Sequence, residues 1–275
     1  MATRRGVRGK ERSAGSSSLS NSRRGSASSY FERSKQPLEI LALIAPLVVL
    51  YEIGLIFFLR GSHGTLTNGA HESLLRFFSN FGVDPARMNL PTLALPAVAL
   101  VVVMIVWQIL LRKQWSIHLP TVGGMAIESA LFALSLLVLA QLISRAFTPA
   151  MPDSISQLSP FGKIAISIGA GLYEELIFRM ILLSLLHTVF VDLLRMPERW
   201  GIGVAIGISA VLFALYHPLK TGAGVLDIRR AAFFLVAGVY FGVLYVVRGF
   251  GIAVATHALY DIAVVVVLTD VEDSS

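Results

Sequence analysis

The chain has 275 residues, of which 55% are hydrophobic and only 15% charged, against about 25% charged in a typical soluble domain. Its mean hydropathy is +0.72, and the apolar residues fall in runs of about 17–24, near the length that crosses a bilayer; this excludes an ordinary water-soluble domain. There is no cysteine, which excludes disulfides, a thiolate nucleophile and cysteine metal ligands.

The net charge of +6 comes largely from one end, since nine of the 23 Lys and Arg lie in residues 1–36. That segment, with "GSSSLSNSRRGSASS", is too polar to bury a core and is expected to be disordered. It reads as a positive-inside cytoplasmic tail or an anionic-lipid contact, not as a nucleic-acid site. It is a poor signal peptide, because its polar part is too long and no small-residue cleavage site closes the apolar run.

The first span is expected at 38–59. Residues 60–90 form a polar connection containing "HESLLRFFSNF", an amphipathic piece suited to the interface. Spans follow at 92–111, ending at Arg112 and Lys113, and at 122–144, which contains Glu128. A hydrogen bond to another helix is the expected role of Glu128. Pro149, Pro152 and Pro160 argue against a helix through the next loop. A helix then runs from about 162 to about Thr188, with 181–195 either its end or a separate element. Further apolar segments lie at 200–217, 232–247 and 251–269. The expected fold is all-α, a polytopic bundle of about 7–8 membrane helices. The organisation reads as a basic tail at 1–37, N-terminal helices at 38–159, a second helical region at 160–269 and a short acidic tail at 270–275. Gly203 and Gly207, four apart, suggest close helix packing. Lys220, Arg229 and Arg230 suggest a cytoplasmic connection, which sits awkwardly with strict alternation from a cytoplasmic N-terminus.

Charges inside membrane helices are costly and usually functional. In "GLYEELIFRMILL", Glu175 and Arg179 share a helix face and can pair. Glu174 is rotated by about 100° and points elsewhere. One carboxylate braces and the other is free to react. "FALYHP" places Phe213 one turn before His217, at a helix end set by Pro218. "THALYD" places His257 and Asp261 on one face. A carboxylate and a histidine sharing a water form a general-base pair, and a second histidine can support an oxyanion. Glu174, His217 and His257 with a water also make a plausible zinc set. The alternative to both is a structural ion network. Other protease signatures fail: "HESLL" has Leu75 where a zincin needs histidine, Ser209 lacks an intramembrane serine-protease context, and no pair of aspartates sits in a matching membrane context.

These three motifs resemble the CPBP family, the CAAX-protease and bacteriocin-processing membrane proteins that include the type II CAAX prenyl endopeptidases. The resemblance covers roughly 160–268. It implies intramembrane hydrolysis of peptide bonds in membrane-associated peptides or proteins, with no metal cofactor. By resemblance, Glu174 and His217 activate water, His257 and Asp261 line the site and support the oxyanion, and Glu175 and Arg179 brace the helix. The prenyl endopeptidases carry asparagine where this chain has Asp261. An ionised aspartate cannot donate a hydrogen bond, so Asp261 is expected to orient His257 or carry a proton, and a prenylated client does not follow. Two other function classes fit the same residues: a non-catalytic scaffold, chaperone or regulator, and a small proton-coupled carrier using its acids as relays. No inverted repeat supports the carrier.

Overall fold

The computed structural model describes residues 30–61, 64–82, 93–143, 155, 157–220 and 224–268. Most of the basic tail, the acidic tail at 270–275 and most of the proline-containing loop lie outside these residues. The described chain opens with a helical turn at 30–33. It continues through α1 (Pro37–Phe57), a short antiparallel pairing of Arg60–Gly61 with Gly64–Thr65, and the amphipathic α2 (Gly69–Ser79). Then come α3 (Leu95–Leu111), α4 (Leu119–Ile143), α5 (Pro160–Leu193), α6 (Glu198–Tyr216), α7 (Ile228–Arg248) and α8 (Phe250–Val266).

Five of these, α1, α4, α5, α6 and α7, are long and apolar enough to cross a membrane, and α3 and α8 are shorter apolar helices. Among the described residues the total of seven apolar helices agrees with the hydropathy reading. The stretch 181–195 does not form a separate span; it lies mostly within α5. Their outward faces are apolar rather than polar: Val102 and Val106 on α3, and Leu131, Leu134 and Val138 on α4, are all exposed. Exposed apolar surface on this scale is the signature of a lipid-facing bundle.

The helix boundaries follow local chemistry. Ser159 caps α5 by accepting from the Gly162 amide, with Pro160 in the first turn, where its missing N–H costs nothing. Asp227 caps α7 through the amides of Arg229 and Arg230. α6 ends at Tyr216 because Pro218 forces the preceding residue out of the helical region. His217 accordingly adopts an extended conformation (φ −86°, ψ 157°). Immediately after Glu175, α5 widens to π-helical turns over Leu176–Leu183 and again over Thr188–Leu193. Such insertions in α-helices concentrate at functional sites.

Two glycines decide how closely the core helices approach. A Cβ at Gly171 of α5 would lie 2.6 Å from the Ala258 backbone nitrogen of α8, and one at Gly238 of α7 would lie 2.8 Å from Cα of Ala210 in α6. Gly203 and Gly207 behave otherwise. A Cβ on either meets nothing within 4 Å, so the close-packing role expected of them belongs to Gly171 and Gly238. Gly171 is one turn before Glu175, and Ala258 follows His257, so this contact sets the distance between the two motifs. Gly171→Val is expected to destabilise the protein by about 1–3 kcal/mol through overpacking. Thermal unfolding in lipid or detergent checks this.

Glu128 finds its partner across 120 residues. Arg248, at the end of α7, grips it in a two-pronged ion pair, through Nε to Oε1 and Nη2 to Oε2. Tyr30 donates its hydroxyl to the same carboxylate at 2.7 Å, and the Arg248 guanidinium lies 4.3 Å from the Phe31 ring centroid. The cluster ties the segment entering α1 to α4 and α7. The expected hydrogen bond to another helix is present.

Candidate active site

The floor of the site is a buried ion pair. Glu175 and Arg179, both fully buried, face each other on α5 with Oε1 and Nη1 2.9 Å apart. Arg179 also donates Nη2 to the Gly238 carbonyl at 3.3 Å. Its guanidinium lies 4.3 Å from the Phe213 ring centroid and 5.3 Å from that of Phe241. A buried charge is tolerated only when paired and hydrogen-bonded, and the aromatic faces add a cation–π contribution. Phe213 is thus part of the packing under the histidines.

Glu174 turns away from this pair, as the helix rotation requires. Its Oε2 is 3.5 Å from His217 Nε2 and 3.9 Å from His257 Nε2. That oxygen is buried and, among the described residues, has no hydrogen-bond partner. His217 is held from two sides. Its Nδ1 donates to the Phe213 carbonyl at 2.8 Å, and its ring stacks on Phe234 with centroids 4.0 Å apart. With Nδ1 as the donor, Nε2 presents its lone pair toward Glu174 in the neutral ring. His257 is held likewise, by Nδ1 on Glu175 Oε1 at 2.8 Å and by stacking on Phe241 at 4.6 Å.

His217 ends α6, whereas His257 lies mid-way along α8, whose start simple alternation puts on the opposite side of the membrane from the end of α6. They meet because the helices have unequal depth. Phe234, on which His217 stacks, lies six residues into α7. α6 therefore stops about 9 Å short of the level where α7 begins, at 1.5 Å per residue. α8 rises from Gly249 to bring His257 opposite Phe241.

Asp261, expected to orient His257 or carry a proton, lies beside the His257 ring. Asp261 Oδ2 lies 3.6 Å from His257 Nε2, the atom facing Glu174, whereas Nδ1 is held by Glu175. Glu175 thus serves both Arg179 and His257, a pairing over 82 residues that no local spacing signals. Asp261, with its side chain 25% exposed, stands at the margin of the site. Among the described residues no group of three or more His, Asp or Glu side chains is arranged to hold a metal ion.

A second polar cluster adjoins the site, on the histidine that opens the rejected zincin-like stretch HESLL. His71 of α2 is fully buried, with Nδ1 2.8 Å from the Tyr51 hydroxyl and its ring edge-on to Tyr173 at 5.0 Å. Burial lowers its pKa to about 4. α2 therefore packs on the residue just before Glu174. Asn68 capping α2 through the His71 amide was the available local signal.

Residues 156–263 match the family described as Type II CAAX prenyl endopeptidase Rce1-like. Over this segment, less than half of the chain, the protein is similar to that family. The match contains all seven of Glu174, Glu175, Arg179, Phe213, His217, His257 and Asp261, and the family is one of proteases. No curated protein and no solved structure gives a significant match to the chain.

Proposed function

We propose that this protein is an intramembrane endopeptidase that hydrolyses membrane-associated peptides or proteins with water activated by Glu174 and His217. The observation that carries the reading is the buried, unpartnered Oε2 of Glu174 facing the Nε2 atoms of both histidines. A water there donates one hydrogen to Glu174 and the other toward the His217 lone pair, leaving its own lone pair for the scissile carbonyl carbon. As the C–O bond forms, Glu174 takes the water proton. His257, protonated at Nε2 while Nδ1 is held by Glu175, donates to the developing oxyanion. Glu174 then delivers its proton to the departing amine nitrogen as the C–N bond breaks. Asp261 stabilises the second proton on His257. The products are a carboxylic acid, which ionises to solvent on release, and an amine, and no covalent enzyme intermediate forms.

The test is cleavage of membrane-tethered peptides by the purified protein in lipid, with product masses read directly and hydroxylamine present in one arm. Ordinary hydrolysis products with no hydroxamate are expected, and chelators are expected to leave the rate unchanged. A hydroxamate would reveal an acyl-enzyme and sink the direct-water mechanism. Loss of cleavage on chelation, restored by zinc, would overturn its metal-free form. Absence of any product would favour the scaffold reading.

A further inference from the structure

Three carboxylates converge on His257. Glu175 Oε1 holds its Nδ1 at 2.8 Å, while Glu174 Oε2 and Asp261 Oδ2 face its Nε2 at 3.9 and 3.6 Å. The guanidinium of Arg179 is engaged by Glu175. Among the described residues, Glu174 and Asp261 form ion pairs with histidines and with no lysine or arginine. With His217 neutral and His257 doubly protonated, as in the reaction above, the negative charges outnumber the positive ones. Such a cleft favours a cationic side chain over a neutral or anionic one.

The carboxylates differ in access. Side-chain exposure rises from 0% at Glu175 to 8% at Glu174 and 25% at Asp261. Glu174 Oε2 is buried without a hydrogen-bond partner, and it faces the reacting water. Asp261 is the carboxylate that a substrate side chain can reach. It accepts no hydrogen bond from any described residue, since its contact with His257 is too long to be one. A carboxylate offers about four acceptor sites on two oxygens, so the contact with His257 leaves room for a second cation.

The same atoms fix where that cation comes from. His257 Nε2 donates to the oxyanion, which places the oxyanion and Asp261 Oδ2 at most about 6.5 Å apart. An extended chain advances about 3.3–3.6 Å per residue, so a long side chain reaching Asp261 belongs to a residue directly beside the scissile bond. An ionised Asp261 this close also opposes the charge developing on the oxyanion. A substrate cation on Asp261 offsets that repulsion.

We propose that Asp261 is a specificity determinant that selects a lysine or arginine directly beside the scissile bond. The client is then a membrane-associated polypeptide with a basic residue at its cleavage site. The assignment rests on the protease reading above.

The test uses the full-length protein in phosphatidylcholine vesicles, whose zero net charge keeps basic peptides from concentrating at the surface. A membrane-tethered peptide is cleaved and its scissile bond located by product mass. It is then remade with Lys, Arg, Met or Glu at each residue flanking that bond. At one of these positions Lys and Arg are expected to exceed Met in kcat/KM by about 10-fold, the scale of a hydrogen bond to a charged group, with Glu below Met. In Asp261→Asn the ratio of Lys to Met is expected to fall to near unity, and in Asp261→Glu to be retained. A loss of turnover transmitted through His257 affects all peptides alike and leaves the ratio unmoved. Asp261→Ser carries the same comparison if Asp261→Asn does not accumulate. Equal kcat/KM for Lys, Met and Glu at both positions would overturn the proposal and leave the protease reading intact. A basic preference undiminished in Asp261→Asn would overturn Asp261 as its source. No cleavage of any tethered peptide would sink the protease reading, and this assignment with it.

Discussion

Glu174→Gln is expected to lower kcat by about 10²–10⁴-fold, the usual contribution of a positioned acid–base group, with little change in melting temperature. Glutamine preserves the shape of the side chain but cannot accept the water proton or return it to the amine. The buried oxygen makes no hydrogen bond that anchors the fold, so little stability is lost with the charge. His217→Ala is expected to lose activity on a similar scale. Its cost is the lone pair at Nε2, 3.5 Å from Glu174. Because the two groups act on one water, their losses should not add: the double variant is expected to be no slower than the slower single one by more than a few-fold. Steady-state kinetics in lipid, with thermal unfolding alongside, reads all of this. Activity of Glu174→Gln within a few-fold of the unmodified protein would remove Glu174 from the role of base. Fully additive losses would show that the two residues serve separate steps.

How much of this was legible before the structure depends on the range of each interaction. Glu175 with Arg179, Phe213 with His217, and His257 with Asp261 are all four apart, and helical periodicity alone puts each pair on one face. Pro218 announced the end of α6, and the hydropathy pattern announced the spans. Contacts between distant helices were not legible. The Glu175 bond to His257 and the Arg248 grip on Glu128 depend on how each helix is rotated about its axis. So do the glycines: Gly203 and Gly207 look like a packing pair in sequence, yet their face is open, while Gly171 and Gly238 sit where backbones meet. Depth was hidden for the same reason. No local pattern says that α6 ends below the level where α7 starts, and that offset is what lets His217 reach Glu174.

The role of the floor gives the largest expected stability effect. Arg179→Met removes the guanidinium paired with Glu175, and leaves a fully buried carboxylate with His257 as its remaining partner. Breaking a buried pair from one side costs about 3–5 kcal/mol, enough to unfold many proteins of ordinary stability. The combined Glu175→Gln and Arg179→Met variant leaves no uncompensated charge, and replacing both partners of such a pair is often close to neutral. It is therefore expected to recover most of the melting temperature lost by Arg179→Met. It should not recover activity. Glutamine at 175 can still accept from His257 Nδ1, but it carries no charge to favour the proton on Nε2 that the oxyanion needs. The decisive readout is this separation of stability from turnover, with KM unchanged and kcat depressed in the double variant. Full recovery of both would reduce Glu175 to a brace, and the oxyanion role of His257 would then have to stand without it.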